Sequence, residues 1–225
     1  MEVPHRGGKR LPLCPPGATM AAMVPPPDMA LERASRARRV AGVDEVGRGP
    51  WAGPVVAGAV RFRAAPPDGL ADSKALTPAT REAMISLIEA TADWGLGAAS
   101  VAEIDGLGLG PATRLAMARA VMGLTEAPDH LLIDGTGRHD WAPYPYDTVV
   151  RGDSRSASIA AASILAKVHR DGIMVSLAQQ NPGYGWERNM GYGTPAHRAG
   201  LAAFGITMHH RRSFRPIRAL LPESP

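Results

Sequence analysis

Residues 43–55 read VDEVGRGPWAGPV, and the fold follows from how this stretch is punctuated. An apolar run from Val40 stops in two acids, Asp44 and Glu45. Gly47, Arg48, Gly49 and Pro50 then form a turn, and Pro54–Phe62 (PVVAGAVRF) is β-rich and apolar, as a buried strand is. Strand, acidic end, glycine turn, strand is therefore the reading of residues 40–62. Successive strand residues point to opposite faces, so Asp44 and Glu45 can share a site only where the strand ends or kinks, which Gly47 makes easy.

The same punctuation recurs downstream. Leu131–Ile133 is a short apolar strand running into Asp134-Gly135, and Tyr146–Val150 runs into Arg151-Gly152-Asp153. Trp94–Val101 is a further strand candidate. Between them lie helical stretches. Thr77 is an N-cap with Pro78 at the first helical position, and that helix is expected to reach Ala92 with Ala83, Leu87, Ile88 and Thr91 on its inner face. A second follows Pro111 with Leu115, Ala118 and Met122 inward, a long one spans Ser156–Ala178, and a last one Pro195–Phe204. Strands alternating with helices predict an α/β fold with helices on both faces of a sheet.

Composition supports one such domain. The chain has 225 residues, 45% hydrophobic and 20% charged, enough to bury a core. The single cysteine, Cys14, excludes an internal disulfide framework and a cysteine-based zinc site. No apolar run approaches the ~18 residues of a membrane span. Residues 1–39 hold seven prolines and no sustained periodicity, and are expected to be a disordered, dispensable extension to a domain at 40–225. That extension carries seven basic and three acidic residues, which is the whole +4 net charge. The body is neutral but polarised: residues 41–150 have a net charge of −6 and residues 151–225 of +6. Such a split suits a cation at one part and a polyanion at the other, unless the two halves simply intermix on folding.

Four carboxylates, Asp44, Glu45, Asp134 and Asp153, thus sit where apolar strands stop. Acids at the ends of neighbouring strands converge, and converging carboxylates repel unless a cation offsets them. All-oxygen ligands without cysteine suit a hard ion, Mg²⁺ or Mn²⁺. Two such ions ~4 Å apart can activate water and stabilise a leaving oxygen in phosphodiester cleavage. The plainer alternative is that each acid starts a turn or caps a helix, with Asp134-Gly135 a turn pair and Asp153 preceding the Ser156 helix start. Lys74 and Lys167 are the only lysines after residue 39. Each is a candidate phosphate contact, although Asp171 stands four residues after Lys167 as a helix partner. Arg211 and Arg212, with His209 and His210, form a basic run expected to face nucleic acid. His197 is expected to stabilise a loop or cap a helix.

These blocks, VDEVGRGPWAGPV, Asp72-Ser73-Lys74, Leu132-Ile133-Asp134-Gly135, Gly152-Asp153 with IAAASILAKVHRD at 159–171, Gly191-Tyr192-Gly193-Thr194 with His197, and HHRRSF at 209–214, together resemble ribonuclease HII in order and interval over residues 40–220. The resemblance implies a ribonuclease H-like fold, with a central mixed sheet flanked by helices on both faces and a helical C-terminal part. It implies a cytoplasmic, monomeric endonuclease, not bound to membrane, acting on RNA–DNA hybrids and on ribonucleotides embedded in duplex DNA, and leaving 3′-hydroxyl and 5′-phosphate ends. Metal ligation maps onto Asp44, Glu45 and Asp134, with Asp153 the fourth carboxylate. One Mn²⁺ or Mg²⁺ is expected without substrate and a second with it. Gly47, Arg48 and Gly49 map onto a 2′-hydroxyl sensor, and Tyr192 onto the aromatic that stacks on the junction sugar. Met190 stands where a basic residue is half expected. A sliding-clamp partner is compatible with the sequence and not indicated by it. The sister type, ribonuclease HIII, carries a folded N-terminal domain for which residues 1–39 are too short. A catalytically silent hybrid binder has no use for clustered acids.

Overall fold

The computed structural model describes residues 25–222. Cys14 and the other residues of 1–24 lie outside the described part, as do 223–225. The strands are β1 (Val40–Val46), β2 (Val55–Phe62), β3 (Ala92–Ala99), β4 (His130–Asp134) and β5 (Tyr146–Val149). The helices are α1 (Ala30–Ala34), α2 (Pro78–Thr91), α3 (Val101–Leu107), α4 (Leu109–Met122), α5 (Ala157–Gln180), α6 (Trp186–Asn189), α7 (Pro195–Phe204) and α8 (Arg215–Arg218). One mixed sheet runs in the order β3-β2-β1-β4-β5. β1, β2 and β3 form an antiparallel meander, while β4 and β5 run parallel to β1.

Period-2 alternation decides which helix each face receives. Ala41 and Val43 of β1, Val55, Ala57 and Ala59 of β2, and Leu131 and Ile133 of β4 pack with Ala112, Ala116, Met117 and Ala120 of α4. Val60 packs on the other face with Ala161, Ala162, Ile164 and Leu165 of α5 and with Met84 and Ile88 of α2. Full burial of residues such as Ile88, Ile133 and Ile164 contributes roughly 1.5–3 kcal/mol each. Glycines bring the helices close. A Cβ at Gly42 would overlap the backbone of Ser158 and Ile159, and one at Gly58 would overlap the Ala162 carbonyl. α5 therefore lies almost on the backbone of β1 and β2, which explains its alanine-rich opening turns.

Several expectations need correction. The inner face of α2 is Arg81, Met84 and Ile88, whereas Leu87 is exposed. That of α4 is Ala112, Ala116, Met117, Ala120 and Val121, with Met122 in solvent. In α4 the small residues Ala116 and Ala120 face inward because Gly95 and Gly97 of β3 let its backbone approach closely; α2 packs Met84 and Ile88 on α5. β3 begins at Ala92, directly off α2, rather than at Trp94, and α3 occupies the end of the expected strand. The signal for α3 was present: Ser100 and Glu103 form a reciprocal capping box. The expected disordered extension also departs from what is seen in its described part. Residues 30–34 are helical, and Glu32 is buried against the start of α5. A third core, of Met174, Tyr184, Trp186, Leu201 and Ile217, joins α5 to α6, α7 and α8 and receives Ala52. No described helix is long and apolar enough to cross a membrane.

Candidate active site

β1 and β4 are parallel neighbours, in register from Val40↔His130 to Val43↔Ile133. Acids just beyond this register are therefore brought side by side at the carboxyl ends of the strands, where open α/β sheets place their ligands. β1 continues to Val46, one residue past Glu45, and Gly47 ends it at φ 91°. Asp44 and Glu45 consequently leave the sheet on opposite faces. Asp44 is only 5% exposed, on the α5 side, and its Oδ1 accepts the Glu45 N–H at 2.7 Å. Glu45 opens on the α4 side into a cleft of about 440 Å³ that Arg48, Thr113, Arg114, Asp134 and Arg138 also line. Asp134, the last residue of β4, serves both sides, and its Oδ1 accepts the Gly152 N–H at 2.6 Å.

That last bond fixes the fourth acid. Arg151 turns through left-handed backbone at φ 53°, and Gly152–Ser154 forms a single 3-10 turn that presents Asp153. Asp153 is buried, and the Lys74 Nζ stands 3.6 Å from its Oδ2. Lys74 also lies 3.9 Å from Asp72, the first residue of the Asp72-Ser73-Lys74 block and one to which the sequence assigned no site role. The four predicted carboxylates thus lie around the carboxyl ends of β1 and β4, on both faces of the sheet, with Lys74 beside Asp153. Lys167 does not join them: its Nζ donates to Asp171 at 2.8 Å, the i,i+4 pairing that the spacing indicated.

The electrostatics match this crowding. Burial first, then Glu45 and Asp134, pushes Asp44 well above the usual carboxylate range. Burial also raises Glu45, against Arg48, whose Nη1 is 3.1 Å away. Asp153 is raised by burial, Asp72 and Asp134, with Lys74 opposing. Burial draws Lys74 down, but Asp72, Asp153, Asp44 and Asp134 outweigh it and raise its affinity for a proton. The raised carboxyls favour a positive charge beside them, as the acids of a hard-metal site do. The donor set fits in kind, since every acidic donor is an oxygen. Among the described residues, however, no three His, Cys, Asp or Glu side chains are grouped closely enough to hold an ion as they stand.

The Gly47-Arg48-Gly49 turn abuts Glu45, and Tyr192 reaches it from the loop before α7. Tyr192 is 50% exposed, and a Cβ at Gly49 would lie 3.2 Å from its Cε1. Behind this pair are two residues whose role sequence reading missed. Arg170 donates to the carbonyls of Pro54, Met190 and Ala52, and Arg211 to those of Gly53, Arg48 and Gly47. Both are buried. Arg211 and His210 therefore do not form the outward basic run expected of them, whereas Arg212 is exposed, its backbone N–H donating to Asp105. For Arg170 a signal existed: it lies four residues after Ala166 and four before Met174, on the buried face of α5. Met190 takes φ 50° and contributes its carbonyl to Arg170, so its side chain is not what this position supplies. His197 is a loop stabiliser, bonding the Tyr192 carbonyl at 3.0 Å.

Comparison with known proteins identifies the family and the fold. A family model described as Ribonuclease HII matches residues 41–217. The ribonuclease HII of Paracoccus denitrificans is 56% identical over 199 residues, covering 87% of this chain and 95% of that protein. That of Geobacillus kaustophilus is 50% identical over 196 residues, covering 85% and 74%. Among solved structures, ribonuclease H2 of Pyrococcus horikoshii superposes with a TM-score of 0.70 at 24% identity, covering 81% of this chain and 97% of that one. The ribonuclease HII of Archaeoglobus fulgidus, solved in a complex with PCNA, gives 0.67 at 21% identity, covering 84% and 98%. These two show the fold.

Proposed function

The chain belongs to the ribonuclease HII family, and on that footing we propose that it hydrolyses the RNA strand of RNA–DNA hybrids and incises duplex DNA at embedded ribonucleotides. The observation that carries this reading is the gathering of Asp44, Glu45, Asp134 and Asp153 around the carboxyl ends of the neighbouring strands β1 and β4, with the Gly47-Arg48-Gly49 turn directly beside Glu45. A pure binder of a polyanion gains nothing from burying like charges there.

Asp44, Glu45 and Asp134 are the residues that would hold Mg²⁺ or Mn²⁺, with Asp153 completing the acidic wall. A bound ion, with a second in the presence of substrate, would supply activation of the attacking water and stabilisation of the leaving 3′-oxygen, consistent with 3′-hydroxyl and 5′-phosphate ends. Arg48 restrains Glu45 through its 3.1 Å contact and is itself exposed to a phosphate. The turn's backbone donors meet the ribose 2′-hydroxyl, which a deoxyribose lacks, so the deoxy strand leaves them unpaired. Tyr192 stacks on the neighbouring sugar. Lys74 approaches the phosphate from the Asp153 side. Removal of misincorporated ribonucleotides during replication and repair is the role such a cut serves.

The test uses matched duplexes with zero, one and four ribonucleotides, in Mg²⁺, in Mn²⁺ and in excess chelator. Cleavage at the single ribonucleotide, dependent on the ion, is expected. Unchanged cleavage in chelator would overturn the metal assignment, and no cleavage of either ribonucleotide duplex would overturn the activity.

A further inference from the structure

Arg211 and Arg170 are large cations buried with no carboxylate within ion-pair distance among the described residues. Burial holds both guanidiniums below their usual range, to about 9 for Arg211 and about 10 for Arg170. Burying an uncompensated cation is unfavourable, so six backbone carbonyls facing the two side chains call for a reason beyond packing. Their distribution supplies one. Arg211 takes Gly47 at 2.6 Å, Gly53 at 2.9 Å and Arg48 at 3.0 Å, so it grips both carbonyls inside the glycine turn. Arg170 backs the same turn: a Cβ at Gly47 would overlap its Nε.

A trans peptide sets its C=O and the following N–H in opposite directions, and no peptide among the described residues is cis. With the Gly47 and Arg48 carbonyls drawn inward to Arg211, the N–H groups of Arg48 and Gly49 must point away from it. Both residues are exposed, and neither N–H has a protein acceptor among the described residues. We propose that Arg211 is the positioning residue for ribose discrimination: by holding these two carbonyls it aims a pair of free backbone donors at the sugar of the substrate. This rests on the reading that the turn senses the 2′-hydroxyl. Arg211 itself touches no substrate. Lysine cannot replace it, because a point cation lacks the planar fork that spans three carbonyls at once.

The experiment measures binding of two duplexes, one with a single ribonucleotide and one all-DNA, in an Asp134→Asn background that removes cleavage. Arg211→Met and Arg211→Lys are compared with that parent, with thermal unfolding as the control for folding. The parent is expected to prefer the ribonucleotide duplex. Arg211→Met is expected to reduce that preference about tenfold, the scale of one lost charged hydrogen bond, while its affinity for the all-DNA duplex stays within twofold. A folded Arg211→Met that keeps the preference overturns the proposal. Where Arg211→Met melts too low to assay, Arg211→Lys decides: it keeps the charge, and retention of the full preference in it likewise overturns the assignment. A parent that binds both duplexes equally removes the sensing reading itself, a separate failure visible before any Arg211 variant is made.

Discussion

Ser156 donates a 2.6 Å hydrogen bond to Glu32 across 124 positions of sequence, at the start of the helix that follows Asp153. The same Glu32 oxygen accepts from the Ser158 hydroxyl at 2.6 Å and the Ser158 N–H at 3.0 Å, and the Asp28 carbonyl accepts the Ala157 N–H at 2.9 Å. Residues 28–32 therefore act as an external cap on α5, satisfying donors that the helix's own first turn cannot. Glu32→Ala removes a buried acceptor of three bonds and is expected to cost about 2 kcal/mol, visible as a lower melting temperature. Deletion of 1–39 is expected to lower it at least as much. An unchanged melting temperature in both would mean that the cap contributes nothing and that the whole extension is dispensable, as its composition had suggested.

Asp44 gives the opposite sign. Its carboxyl is raised by burial, Glu45 and Asp134, so the native state favours the protonated form more than the unfolded chain does. An acid raised in this way destabilises the native state above its folded value, and the penalty is relieved as pH falls through that value. Asp44→Asn is therefore expected to raise the melting temperature measured in chelator near neutral pH, while abolishing cleavage. A variant that is less stable in chelator would show that Asp44 is held there by its hydrogen bonds rather than strained by its charge.

The acids were legible in the sequence and the arginines were not, for one physical reason. A carboxylate where an apolar strand stops is marked by the strand itself, and β1 and β4 needed only parallel pairing to bring Asp44 and Asp134 together. Arg211 sits in a run, HHRRSF, that looks like a solvated basic tail. Its burial depends on Gly53, Arg48 and Gly47, about 160 positions away, and on the His197–His210 contact, none of which has a local period. Glu32 was hidden likewise, since proline-rich composition around it says nothing about two serines 124 and 126 positions on. The inner face of α4 is set by Gly95 and Gly97 on the facing strand, which its own hydrophobic pattern does not reveal, and that of α2 by its packing on α5.

The two lysines should separate cleanly. Lys74 stands 3.6 Å from Asp153 and is mostly exposed, whereas Lys167 is committed to Asp171 at 2.8 Å. Lys74→Met leaves Asp153 without its only nearby cation among the described residues, and a loss of about tenfold in kcat/KM on the single-ribonucleotide duplex is expected. Lys167→Met breaks an i,i+4 pair of about 0.5 kcal/mol and is expected to leave kcat/KM within twofold. The reverse order of effects would place the phosphate contact at Lys167.

His197 and His210 make stability depend on pH through Tyr192. The Thr207 N–H donates to His210 Nδ1 at 3.0 Å, so the His210 proton lies on Nε2, 3.1 Å from His197 Nε2. His197 Nε2 also accepts the Trp186 N–H at 3.1 Å, which leaves its Nδ1–H to donate to the Tyr192 carbonyl. Each ring is neutral in this chain, and protonating either puts two donors face to face. Burial accordingly lowers both, His210 to about 4. The unfolded chain takes up these protons near pH 6.5, before the native state does. The pair's contribution is therefore complete above about pH 6.5 and is lost as pH falls from there through about 4. The melting temperature is expected to decline over that interval, and KM for ribonucleotide duplexes to rise with it as the Tyr192 loop loosens. His210→Gln keeps an acceptor for Thr207 and a donor for His197 but cannot titrate. It should flatten the decline between pH 6.5 and 5 relative to the parent, which carries the same raised carboxylates; an identical slope in this variant would assign the acid sensitivity elsewhere.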